Sequence, residues 1–304
     1  MAGGGDSTRA ILFALGANFA IAVSKGVAAF FTGSSAMLAE TVHSLADCGN
    51  QLLLLLGMRQ AKRPPSPDYP LGYGKAIYFW SFLVAVMLFT VGGMFSLYEG
   101  IHKLQHPEPL KQWWWAAGVL TFGIAAEAVS MRACLVEVNK ARGGRSLWQW
   151  FRESRQAELV VIFGEDLAAL LGLVFALAAV LMAVATGNPI WDAIGTIAIG
   201  ALLIVVAVFV AIEVKAMLIG QSVDPARQQQ IRDFLGGRPE ISQVISLITL
   251  QLGNEVMVSV QARMREEHQL AGAIEQINAV ERAMKQAFPE VRWSFFEPDN
   301  KAGL

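Results

Sequence analysis

The sequence predicts an α-helical membrane protein: six transmembrane helices followed by a small cytosolic α+β domain of αββαβ order, ferredoxin-like in outline. Three observations predict it. The 304 residues are 54% hydrophobic and only 16% charged, whereas soluble domains carry about 25% charged residues. Charge is also concentrated at one end, since residues 221 to 304 hold 20 of the 49 Asp, Glu, Lys and Arg. Ahead of that tail, six apolar stretches reach the ~20 residues that a helix needs to cross the hydrocarbon layer.

The predicted spans are about 10 to 31, 35 to 58, 76 to 99, 113 to 134, 159 to 186 and 190 to 212. The first follows Arg9 as a signal peptide would, but it exceeds the ~7 to 15 residues of an h-region and reads as a retained span. Thr32 to Ser35 join spans one and two, and Gly187, Asn188 and Pro189 join five and six. Such short links make antiparallel neighbours. The loop after span two carries Arg59, Lys62, Arg63 and Lys75, and a Pro64, Pro65, Pro67, Pro70 cluster. The loop after span four carries Lys140, Arg142, Arg145, Arg152 and Arg155. The positive-inside rule assigns both loops, and with them both termini, to the cytosol. The cell (inner) membrane is the expected location, with Trp113, Trp114 and Trp115 as an interfacial belt in the lipid.

The division between domains is expected at 219/220. In the tail, Asp224 and Pro225 can open a short helix to about Leu235. Ile241–Gln251 and Glu255–Arg263 are rich in β-branched residues, and Gly253-Asn254 between them suits a tight hairpin. Ile274, Ile277, Val280, Met284 and Phe288 recur at helical spacing, and a last strand is expected over Val291–Glu297.

Net charge of -1, with no basic stripe, excludes nucleic acid as a partner. Cys48 and Cys134 lie in separate apolar segments and read as small core residues. The chain shows no nucleophile-and-base pair, nucleotide loop or HExxH motif, so it is not expected to be an enzyme or to carry a prosthetic group.

The informative residues are ionisable groups at membrane depth, each of which costs at least ~2.5 kcal/mol at a helix centre. Glu40, His43 and Asp47 of span two fall at spacings of three and four, along one stripe. Glu165 and Asp166 stand side by side about two turns into span five. Carboxylates and an imidazole facing one another repel unless protonated or bridged, and a divalent cation removes that repulsion. Imidazole plus carboxylates suits zinc, and an oxygen-richer set also accepts manganese or iron(II). The alternative without an ion is a buried His43–Asp47 hydrogen bond with Glu165 and Asp166 neutralised or at a kink. If the site transports, protons can compensate its charge when it is empty, so metal and protons would move in opposite directions.

The run Gly33-Ser34-Ser35-Ala36-Met37-Leu38-Ala39-Glu40-Thr41-Val42-His43-Ser44-Leu45-Ala46-Asp47 resembles the second span of cation diffusion facilitators, with their H-S-x-x-D signature. Tyr69-Pro70-Leu71-Gly72-Tyr73-Gly74-Lys75 is similar to that family's segment leading into span three. Asp166 followed by Gly172 is similar to its span five. The resemblance covers the whole chain. It implies export of zinc or a related divalent ion from the cytosol by proton antiport, in a homodimer joined through the tail. It also implies that His43, Asp47 and Asp166 are metal ligands.

The chain departs from the family pattern where Ile162 stands four residues before Asp166, a position that usually holds a ligand. Glu165 is the candidate fourth ligand, with water or Glu40 as alternatives. The Glu165-Asp166 pair is similar to a divergent branch that includes a mitochondrial zinc exporter. Tyr73 replaces the loop histidine that binds a second metal in many members, and no site is expected there. The tail's one histidine, His268, points to dimerisation rather than metal sensing. Glu40, Glu127 and Asn18 are candidates for an additional metal contact or a proton relay, with a hydrogen bond to a neighbouring helix as the alternative for Glu127. Asn18 and Lys25 read as a helix-to-helix hydrogen bond and a snorkelling or paired cation. Asp192 reads as a carboxylate favouring the dipole of span six, and Asn50 and Gln51 as a continuation of the polar stripe. The competing class is a membrane metal sensor or scaffold that moves no ion.

Overall fold

The computed structural model describes residues 4–265 and 269–300, with side chains at Leu15 and from Asn18 onward. His268 lies outside the described residues. Six long helices dominate: α1 (Gly4–Thr32), α2 (Ser35–Ala61), a continuous helix Ala76–Gln105, α5 (Trp113–Ala141), α7 (Ala157–Thr186) and α8 (Ile190–Gly220). At about 1.5 Å per residue, each is long enough for a bilayer. Among the described residues, four are both long and apolar enough to cross a membrane: Ala76–Gln105, Trp113–Ala141, Ala157–Thr186 and the helix opening at Ile190. Only Asn18–Thr32 of α1 enters that comparison, as a shorter apolar helix. α2 falls short in apolarity because Glu40, His43, Asp47, Asn50 and Gln51 occupy it.

The chain forms two compact units. The first contains most of the six long helices, around a core that includes Ala28, Met37, Leu88, Leu120, Leu173, Ile199 and Leu203. Small residues let its helices approach. A Cβ at Gly200 of α8 would fall 2.7 Å from the backbone nitrogen of Leu97 and 2.9 Å from the carbonyl oxygen of Gly93, so these backbones touch only because both positions lack side chains. The helix Ala76–Gln105 is itself interrupted, α3 (Ala76–Met87) passing through a π-helical turn (Leu88–Met94) into α4 (Phe95–Gln105). Gly92 and Gly93 lie in that turn, and Ser96 Oγ donates to the Gly92 carbonyl at 2.7 Å. Periodicity does not signal a widening confined to seven residues.

The second unit takes Gly57–Phe79, Gln149–Ala157 and the chain from Lys215. It contains α9 (Pro225–Gly236), β1 (Ile241–Leu252), β2 (Glu255–Met264), α10 (Leu270–Ala287) and β3 (Val291–Pro298). Asp224 caps α9 by accepting from Ala226 N at 3.0 Å. β2 is the central strand, antiparallel to β1 and parallel to β3, and the parallel pair needs the crossover that α10 supplies. Val256, Val258, Val260 and Ala262 alternate into a core shared with Ile231, Leu235, Val280 and Met284. Ile274, predicted on the buried face of α10, is half exposed. A seven-residue helix, α6 (Leu147–Glu153), lies where the sequence reads only a loop. Two turns are too short to establish a period. In the loop before α3, the Tyr73 hydroxyl lies 3.2 Å from Ser66 Oγ and its ring packs 4.4 Å from that of Tyr69. Gly253 N donates to the Tyr78 hydroxyl at 2.9 Å.

Candidate metal site

α2 begins where Ser34 accepts from Met37 N at 3.2 Å, an N-cap bond. Its first turn is then held by Asp192 of α8, which accepts from Ser34 Oγ at 2.5 Å, Ser35 N at 2.7 Å and Ser35 Oγ at 2.8 Å. The sequence assigns Asp192 to the dipole of its own helix. The structure gives its carboxylate to the N-terminus of a neighbouring helix instead, where the exposed N–H groups attract negative charge equally well. This anchor fixes α2 against α8.

From that anchor, α2 presents Glu40, His43, Asp47 and Asn50 along one face, all buried except Asp47, whose side chain is 18% exposed. His43 Nδ1 lies 3.5 Å from Asp47 Oδ1. Glu40 Oε1, both His43 ring nitrogens, Asp47 Oδ1 and Asn50 Oδ1 are buried without a hydrogen-bond partner. Buried polar atoms are nearly always satisfied, so five unsatisfied acceptors or ring nitrogens on one helix face call for an explanation.

Across from them on α7, Glu165 accepts from Asn50 Nδ2 at 2.6 Å, while Asp166 accepts from Ser130 Oγ of α5 at 3.2 Å. Adjacent helical residues diverge by about 100°, and the two carboxylates accordingly take different partners. Asp47 lies within electrostatic reach of both Glu165 and Asp166. Asp47 also lines a small cleft with Asn18 and Ile21 of α1, Ser44 of α2 and Glu127 of α5. Two residues read separately in the sequence, Asn18 and Glu127, thus meet at Asp47. As placed, no three His, Cys, Asp or Glu side chains among the described residues stand close enough to share one ion.

Glu40 has a different partner. Lys25 of α1 donates to Glu40 Oε2 at 3.2 Å and to Ser44 Oγ at 2.7 Å, and both charged side chains are almost completely buried. Of the two readings given to Lys25, the paired cation is the one observed. From the sequence, Ser44 stands out only as part of the H-S-x-x-D run and Ser130 not at all, although a hydroxyl one helical turn from a buried acid is a recognisable signal.

Comparison with known proteins adds the lineage. The transmembrane domain of cation efflux proteins matches residues 11–219. The chain belongs to the cation efflux family. The relatives it matches include proteins named as an antiporter and as an efflux pump, not as enzymes. The proton-coupled zinc antiporter SLC30A9, mitochondrial, of Xenopus laevis is 34% identical over 225 residues, covering 73% of this chain and 40% of that protein. Metal tolerance protein C4 of Arabidopsis thaliana is 32% identical over 231 residues, 75% of this chain and 50% of that one. The cation-efflux pump FieF of Klebsiella pneumoniae is 26% identical over 285 residues, 93% of this chain and 89% of the pump. The chain therefore spans about half or less of the length of the first two relatives and nearly all of the third.

Proposed function

We propose that this cation efflux protein exports a divalent metal ion from the cytosol in exchange for protons, zinc being the first candidate, with His43, Asp47, Asp166 and Glu165 as its ligands. The observation that carries the reading is the buried face of α2, where an imidazole and carboxyl and amide oxygens lack partners opposite two carboxylates of α7. An arriving dication would draw Asp166 and Glu165 from Ser130 and Asn50 towards His43 and Asp47. The oxygen-rich set also accepts manganese or iron(II). Proton coupling is supported by the chemistry of the donors, which must be deprotonated to bind metal, and by the printed name of the Xenopus laevis relative.

In this reading α1 and α2 also span the bilayer, giving six spans over residues 1–219, with both termini in the cytosol of the cell (inner) membrane. Residues 220–304 form a dimerisation domain. Its sheet supports a second copy of the chain as partner. Ile248, Leu250, Met257, Trp293 and Phe295 share the face turned away from the buried alternation of β2, and Ile248 and Phe295 are more than half exposed.

The test is uptake into proteoliposomes of zinc, manganese, iron(II), cobalt and cadmium under one imposed proton gradient. H43A, D47A, D166A and E165A should each lower flux of the preferred ion at least about tenfold, each removing a charged or imidazole donor. Undiminished flux in all four variants rejects the site.

A further inference from the structure

Lys25 is a cation built into the membrane-embedded unit at a position the proposed ligand set does not use. The side chain is fully buried, and burying an ammonium is expensive unless it is well paired. Its pairing involves four helices. Lys25 comes from α1 and bonds Glu40 and Ser44 of α2. A Cβ at Gly123 of α5 would lie 3.7 Å from Lys25 Cε, and one at Gly172 of α7 would lie 2.5 Å from Glu40 Oε1. Two glycines thus leave the room in which the pair sits.

The pair has a direction. Ser44, which receives the ammonium N–H, lines the cleft with Asp47 and Glu127, whereas Glu40 does not. The positive end therefore approaches the cleft through one hydroxyl. Lys25 acts electrostatically on His43, Asp47 and Glu127. The charged or titratable groups that bear on this region are Glu40, His43 and Asp47 from α2, Glu127 from α5, and Glu165 and Asp166 from α7.

We propose that Lys25 is the resident counter-cation of the transport site: tethered to Glu40, its ammonium opposes the divalent ion at Asp47 and holds the site's affinity low enough for the ion to leave. This rests on the ligand assignment made above. A cage of carboxylates with no opposing charge in low dielectric binds a dication too tightly for turnover, because each unneutralised acid adds a strong attraction. A fixed ammonium weakens the loaded state while stabilising the empty one, in which it neutralises part of the acidic lining. Lys25 and Glu40 are in this sense positioning residues for the ion's energy, and neither is required to touch it.

Removing each charge in turn, and then both, separates this role from a purely structural one. Zinc chloride is titrated calorimetrically into the purified full-length chain in detergent, and zinc flux is measured in proteoliposomes. K25M removes the repulsion and should tighten zinc binding at least about tenfold while slowing turnover. E40Q leaves the ammonium without its counter-ion and should weaken binding by about the same factor. The double variant K25M/E40Q, an apolar–neutral pair, should bind close to the wild-type affinity, as should K25R. If K25M does not fold, E40Q weakening with recovery in the double variant still supports the proposal. Binding that is unchanged or weaker in K25M overturns it. A double variant as weak as E40Q also overturns it, because Glu40 would then be a ligand. H43A keeps the two ideas apart: zinc binding retained in H43A rejects the ligand assignment, whereas loss in H43A beside an unaltered K25M rejects only the counter-cation.

Discussion

Asn50 joins the two halves of the candidate site, since its amide N–H holds Glu165 while its own carbonyl oxygen has no partner. Removing that donor leaves a buried carboxyl group unsatisfied. N50A is therefore expected to cost about 1 to 3 kcal/mol of stability and to lower zinc flux, read by thermal unfolding in detergent and proteoliposome uptake. N50D places a second acid beside Glu165 and should be the more damaging of the two, because like charges in low dielectric repel. His43 and Asp47 were legible in the sequence because their spacing alone puts both on one face of α2. The partners of Glu165 and Asp166 were not, because Asn50 and Ser130 lie 115 and 36 residues away in sequence. No periodicity reports the register between two helices.

The elements are held in place by contacts of few atoms. Asp192 ties the N-terminus of α2 to α8 through three short hydrogen bonds. D192A should lower stability by about 2 to 3 kcal/mol, the range for hydrogen bonds to a buried charged group, and D192N by less, since one oxygen remains to accept from Ser35. Thermal unfolding of both variants checks the order. At Gly200 one helix backbone lies directly on another, and G200V should reduce the yield of monodisperse protein in size-exclusion chromatography, because a Cβ there meets the Leu97 backbone. The long helices were legible from their apolar length. α6 and the π-helical turn were not, since each departs from the pattern over only seven residues.

At the scale of the whole molecule, exchange of metal for protons predicts a sign. Protons compete for the same donors, so the apparent zinc affinity should fall as pH is lowered. Zinc flux should also rise with an opposing proton gradient and drop when an ionophore collapses it. A flux indifferent to that gradient removes the coupling while leaving the metal site intact. If the sheet face of the tail joins two copies, I248E and F295E together should shift the mass measured by light scattering from dimer to monomer.

The sequence by itself determined that this is a polytopic membrane protein with a small αββαβ tail, and that α2 and α7 carry acids and an imidazole within long helices. Those conclusions follow from composition and from periods of two and 3.6 residues, which act within one element. Only the tertiary structure decided that Glu40 belongs to Lys25, that Asp192 caps a helix other than its own, and that Asn18, Asp47 and Glu127 meet at one cleft. Which buried charge finds which partner depends on how helices rotate and slide against one another, and that register is set by side-chain packing across the whole bundle.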